Sequence, residues 1–134
     1  MKLLQLLDER FQIQVTRADL RILLASMGHI TPIIGSDEDF RIRFSCDKLD
    51  ARRLSEKIGL ILNSMESDTF VVVLSKHEAL ILVNAMSHVA NGTRIYDWEF
   101  QTIVGALRID VRSLLEQIHH LLVNSPKDLQ KALE

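Results

Sequence analysis

The chain has 134 residues, 47% of them hydrophobic, 25% charged and 5% aromatic, with 16 Lys plus Arg against 18 Asp plus Glu for a formal charge of -2. An apolar fraction of this size supports one compact domain with a real core and excludes a disordered chain. Five glycines and two prolines exclude collagen-like and linker readings, and the near-neutral balance argues against a dedicated nucleic-acid coat.

At the N-terminus Leu3, Leu4, Leu6 and Leu7 are cut short by Asp8, Glu9 and Arg10, too early for a signal-peptide core. The next apolar run, Phe70 to Leu74, is about a quarter of a bilayer span. Cys46 is the only cysteine, so no intramolecular disulfide forms and a reducing compartment fits. A cytoplasmic chain with no membrane partner is expected.

Self-comparison finds a repeat. Phe11 to Ile30 aligns with Phe70 to Val89 at an offset of 59, keeping Ile22/Ile81, Leu23/Leu82, Met27/Met86 and His29/His88. After a slip of one residue, Phe40, Asp50, Arg52, Leu54, Glu56, Ile58 and Leu62 match Phe100, Asp110, Arg112, Leu114, Glu116, Ile118 and Leu122 at an offset of 60. The units are 1–67, a first copy with an N-terminal extension, and 68–125, a second copy, followed by a charged tail at 126–134.

In chain order, Phe11 to Thr16 alternates apolar and polar residues and predicts a half-buried strand. Thr16-x-x-Asp19 is a capping box that starts a helix carrying Leu20, Leu23, Leu24 and Met27, ended by Pro32. Residues 39–45 alternate like a strand but occupy the place of a short helix in the second copy, and both readings stand. A helix follows on Leu49, Leu54, Ile58, Ile61 and Leu62. Phe70 to Leu74 is apolar on both faces, which predicts the more central strand. Ser75-x-x-Glu78 opens the next helix, with Ala79, Leu82, Val83 and Met86 inside and Asn91-Gly92 as its stop. Trp98 to Val104 reads as a short helix closed by Gly105, and Val111 to Leu122 as the last long one. Because a two-stranded sheet from one copy is marginal, the copies should fuse their strands and pack helices on one face. The expected fold is α+β, predominantly helical, an internally duplicated strand–helix–short element–helix unit forming one pseudo-symmetric domain.

Searches for chemistry return little. There is no HExxH, cysteine pair or carboxylate triad for a metal, no phosphate-cradling glycine loop, and no base marked for Cys46. His29 and His88 read as helix C-terminal residues, His77 as a first-turn residue, and His119 and His120 diverge by about 100° on a helix. No enzyme, metal or cofactor is expected. Residues 97–118 carry a helix-turn-helix rhythm with Arg108 and Arg112, but residues 68–134 hold 6 basic against 8 acidic side chains, so nucleic acid is disfavoured. Arg94, Tyr96 and Trp98 concentrate interface-type residues, and Asp37, Glu38 and Asp39 stand at the matching place in the first copy. These six are the candidate partner-binding residues; the competing reading is a plug for the helical hairpin and a solvated loop.

The second copy resembles a widespread group of small bacterial proteins with the pattern LSxxE, NALNEVxNG, EFxTRxG, EVxxLL. The residues are Leu74-Ser75-x-x-Glu78, Asn84 to Gly92, Glu99-Phe100-x-Thr102-x-x-Gly105 and Val111-x-x-Leu114-Leu115, spanning roughly 70 to 124. Ser87-His88 replaces the usual Asn-Glu and Ile103 the usual Arg. Some members look like immunity proteins encoded beside polymorphic or contact-dependent toxins. The resemblance implies a non-enzymatic protein-binding module, with a toxin domain as the cognate partner. The alternatives are a small helix-turn-helix regulator and a structural subunit that homodimerises through a strand edge.

Overall fold

In the computed structural model, residues 1–33, 35–92 and 97–134 are described, apart from the side chains of residues 92, 97, 98, 102 and 103. The elements run β1 (Lys2–Leu7), β2 (Arg10–Thr16), α1 (Arg17–Ile30), α2 (Asp37–Phe44), α3 (Lys48–Asn63), β3 (Thr69–Ser75), α4 (Lys76–Ser87), a π-helical turn (His88–Gly92), α5 (Asp97–Val104), α6 (Arg108–Val123) and α7 (Pro126–Leu133). The class is α+β and mostly helical.

The strands form one antiparallel sheet in the order β1-β2-β3. Phe11, Ile13 and Val15 of β2 and Phe70, Val72 and Leu74 of β3 are buried beneath the helices, with Leu20, Leu23 and Met27 of α1 and Ala79, Leu82 and Met86 of α4. Gln12 and Gln14 are half-buried and Val71 is exposed, so the other face meets solvent. Burying a Phe, Ile or Leu side chain contributes about 1.5–3 kcal/mol relative to exposure, so these two inner rows are the main source of stability at this end of the molecule. Both capping boxes form: Thr16 and Asp19 bond reciprocally at 3.0 and 3.1 Å, Ser75 and Glu78 at 3.0 Å each way.

One expectation is corrected and one open reading is decided. The central strand is β2 and not the apolar segment 70–74, because Leu3, Leu4, Leu6 and Leu7 lie on β1, which adds to the other edge of β2 through a tight turn at Asp8. Asp8 takes a left-handed φ of 53°, a conformation that Asp tolerates. Second, residues 39–45 are not a strand. Ser36 caps the Asp39 N–H, three acids occupy the first turn, and Phe40 and Phe44 stack one turn apart with ring centroids 4.7 Å apart. Ile42, which a strand would place with the two phenylalanines, is 75% exposed. The charged tail at 126–134 carries a helix: Ser125 caps α7, and Leu129 is buried where α7 meets β1.

Element bounds recur along the chain. Shifting β2 by 59 residues gives the bounds of β3; shifting α2 and α3 by 60 gives those of α5 and α6. The register of β2 against β3 sets Ile13 opposite Val72, a pair that is itself 59 apart. Arg17 N–H donates to the Asp68 carbonyl at 2.9 Å, and Lys76 N–H to Glu9 at 3.1 Å; both donors and acceptors again differ by 59.

These end bonds fix which way the strand groups point. In an antiparallel ladder, alternate residues bond to one neighbour, so Thr69, Val71, Val73 and Ser75 turn their backbone groups away from β2. No strand covers that edge among the described residues. Instead Lys57 of α3 donates to the Val73 carbonyl at 2.7 Å while paired to Glu78 at 2.9 Å, Ser67 bonds both backbone groups of Thr69, and Glu78 takes the Ser75 N–H. Burial raises the Glu78 carboxyl, but the Ser75 backbone bond and Lys57 outweigh it and hold its pKa below the ordinary value. Capping an edge with a lysine is a known defence against strand addition. Lys57→Met is therefore expected to self-associate more strongly than the parent chain. Sedimentation across a concentration series checks this, and identical masses throughout would refute it.

Candidate functional site

The buried side of α4 is continuous: Ala79, Ile81, Leu82, Val83, Ala85 and Met86 are all core residues. Asn84, Ser87, His88 and Asn91 break that pattern at spacings of three, four and seven, which set them in one stripe of the helix. The stripe faces the end of α2. Asn84 Nδ2 donates to the Phe44 carbonyl at 3.2 Å and to Ser45 Oγ at 3.4 Å, and the His88 ring meets Phe44 edge-on, 5.5 Å between centroids. With Arg43 these residues line an open cleft of about 480 Å³.

The last turn of the stripe is π-helical, a wider turn that recurs at functional sites in helices. Two arginines of α6 hold it. Arg108 donates to the Ala90 carbonyl and stacks over Phe100 at 4.3 Å, and Arg112 Nε donates to Asn91 Oδ1 at 3.2 Å. Because Arg112 can only donate, this bond fixes the Asn91 amide orientation. The two arginines of the helix-turn-helix rhythm are thus engaged within the fold.

Electrostatics single out His88. Burial above all, then Arg43 and His29, lower its pKa from 6.5, so the imidazole is neutral near pH 7. The matched pair His29/His88 comes within Coulomb reach, but no group of three or more His, Cys, Asp or Glu suited to a metal ion occurs among the described residues. Cys46 is buried; burial, then Asp50 and Asp47, push its thiol up to about 11, which leaves it an unreactive packing residue. A larger groove of about 660 Å³ lies where α7 docks, between Leu3, Leu121, Leu129 and Leu133. No helix among the described residues is long and apolar enough to cross a membrane.

The predicted partner residues are placed only in part. Arg94 and Tyr96 lie outside the described residues, as does the side chain of Trp98. Asp37, Glu38 and Asp39 are exposed on the first turn of α2, where they complement the helix dipole, and Asp39 borders a groove that shares Arg43 and Phe44 with the cleft. His77, His119 and His120 are exposed. Sequence reasoning passed over the stripe itself. Its signal was available as four polar side chains at helical spacing in an otherwise apolar helix, within the motif that carries the family resemblance.

The lowered His88 pKa has a consequence for stability. Above pH 6.5 both folded and unfolded chains hold His88 neutral. As the pH falls below that value the unfolded chain takes up a proton that the folded one refuses, so stability declines with acid, by at most about 1.4 kcal/mol per pH unit from this group. In His88→Gln this slope should vanish; chemical denaturation from pH 8 to 5 checks it, and parallel curves would refute it. No family profile, no curated protein and no solved structure matches the chain.

Proposed function

We propose that the chain is a non-enzymatic protein-binding module whose partner seats in the cleft between α2 and the α4–π-turn junction, and that it acts as an immunity protein neutralising a cognate bacterial toxin by direct binding. One observation carries the reading: the polar positions of the resembling motif, Asn84, Ser87, His88 and Asn91, converge with Arg43 on one concave surface. Hydrogen-bonding groups around an exposed arginine suit a partner's polar side chains, and Arg is among the residue types that anchor interfaces. Residues 94–98, rich in the same types, follow the π turn directly in sequence.

We further propose that the fold arose by duplication of a strand–helix–helix–helix unit of about 60 residues, too small to be comfortable alone. The recurring element bounds and the self-equivalent Ile13–Val72 pair support it. His29 to Phe40 spans 11 steps and His88 to Phe100 spans 12. A π turn holds one more residue than an α turn, and the turn at His88–Gly92 lies in that interval. The extra residue is the π turn. With Ala90 as the extra residue, the stripe positions of the first copy are Ala25, Gly28, His29 and Thr31, so the polar side chains Asn84 and Ser87 are peculiar to the second copy.

Two experiments test these readings. Expressed beside the product of its neighbouring gene, the parent chain should restore growth. Ser87→Arg, at a half-buried helical site in the cleft, should fold by circular dichroism yet weaken partner affinity at least about tenfold, near 1.4 kcal/mol. An unprotected host overturns the role, and undiminished binding by Ser87→Arg overturns the site. For the duplication, deleting Ala90 should convert the π turn to an α turn without loss of the fold, visible as an uninterrupted helical pattern of NMR shifts through residue 91. A retained wide turn or an unfolded chain overturns the one-residue insertion.

A further inference from the structure

We infer that the cleft receives a carboxylate, the side chain of an Asp or Glu on the partner protein, held by Arg43 and by the N–H and O–H donors of Asn91, His88 and Ser87. This rests on the reading of the cleft as the partner site. Arg43 enters no ion pair among the described residues, and its guanidinium lies 6.0 Å from the Phe44 ring centroid. The ion pairs of the described residues join Met1 to Asp19, Arg41 to Asp47 and Lys57 to Glu78, and none of them neutralises the cation at the cleft.

The lining is biased toward donors. Arg43, Phe44, Asn84, Ser87, His88 and Asn91 include no acid. Asn91 spends its oxygen on Arg112, which leaves its two amide N–H groups as donors. Neutral His88 has one N–H to give. Asn84 is turned the other way, with its N–H groups spent on Phe44 and Ser45, so its oxygen is the cleft's one side-chain amide acceptor. A cation and several N–H donors, beside acceptors limited to the Asn84 oxygen, the Ser87 hydroxyl and the bare ring nitrogen of His88, match a side-chain carboxylate flanked by a peptide N–H. Arginine to carboxylate is also the geometry that permits a bidentate pair. The groups that raise the potential at His88, Arg43 and His29, favour an anion at the same place, and a bound anion eases His88 protonation.

The test uses the full chain, labelled with nitrogen-15, and N-acetyl-glutamate methylamide as the probe. Titration to 50 mM is expected to shift the side-chain amide signals of Asn84 and Asn91 and to raise the apparent pKa of His88. The glutamine counterpart and inorganic phosphate at the same concentration are expected to shift them at least about fivefold less. Arg43→Gln, an exposed substitution, should abolish the effect, and Arg43→Lys should restore part of it. The carboxylate assignment is overturned by silence at 50 mM, by equal response to the glutamine counterpart, by stronger response to phosphate, or by an unchanged response in Arg43→Gln. Should Ser87→Arg still abolish partner binding in that event, the cleft reading survives and only the carboxylate falls. If Ser87→Arg leaves partner binding intact, the cleft reading falls by itself.

Discussion

The antiparallel pairing of β2 with β3, centred on Ile13 opposite Val72, is the constraint on which the rest of the structure depends. Each strand runs directly into a capped helix, so fixing the register fixes where α1 and α4 begin and brings their apolar stripes together over the same rows of side chains. A slip of one residue would turn Phe11, Ile13 and Val15 to solvent and Gln12 and Gln14 into the core. The end bonds Arg17–Asp68 and Lys76–Glu9 tie both ends of the pair. What remains of the sheet is edge management. The outer edge of β2 is covered by a strand, and that of β3 is capped by side chains from Lys57, Ser67 and Glu78.

On this scaffold element bounds recur at offsets of 59 and 60 residues, while the surfaces differ. Equivalent core positions keep equivalent chemistry, as at Met27 and Met86 or Leu54 and Leu114, all buried. Ser45 and Gly105, 60 residues apart, both close a short helix in the left-handed region, at φ 61° and 82°. Ala25/Asn84 and Gly28/Ser87 differ in kind, within one turn or so of the π-helical segment. A core tolerates little variation in volume, whereas a surface cleft tolerates a great deal.

Legibility in the sequence followed the physics of each element. The capped helices and their bounds could be read because hydroxyl–acid pairs and helical apolar spacing are local signals. The α2 segment was ambiguous because Phe40, Ile42 and Phe44 satisfy a period of two as well as the i, i+4 contact; the Ser36 cap and exposure of Ile42 decide it. The strand β1 was missed because its apolar run is interrupted by a bulge between Leu3 and Gln5, which destroys simple alternation. Strand order was misjudged for the same reason: with β1 unseen, the most apolar strand looked central, although Val71 is 53% exposed. The cleft depends on Arg43 and Phe44 of one half meeting α4 of the other, a long-range juxtaposition that no local pattern encodes.

Net charge and local charge point in different directions here. A chain of net charge -2, with its acidic excess in the second half, gives a weak field against anions at long range. At contact distance the terms that matter are the groups actually lining the surface. In the cleft these are a cation outside every ion pair among the described residues, a neutral imidazole and two amides whose orientation is fixed by other bonds. Fixed donors lose little on binding because their reorganisation is already done, whereas exposed mobile pairs such as Arg41–Asp47 gain little beyond what water supplies. A surface of this kind gains specificity from the placement of a few donors, and its association rate owes little to steering by the molecule as a whole.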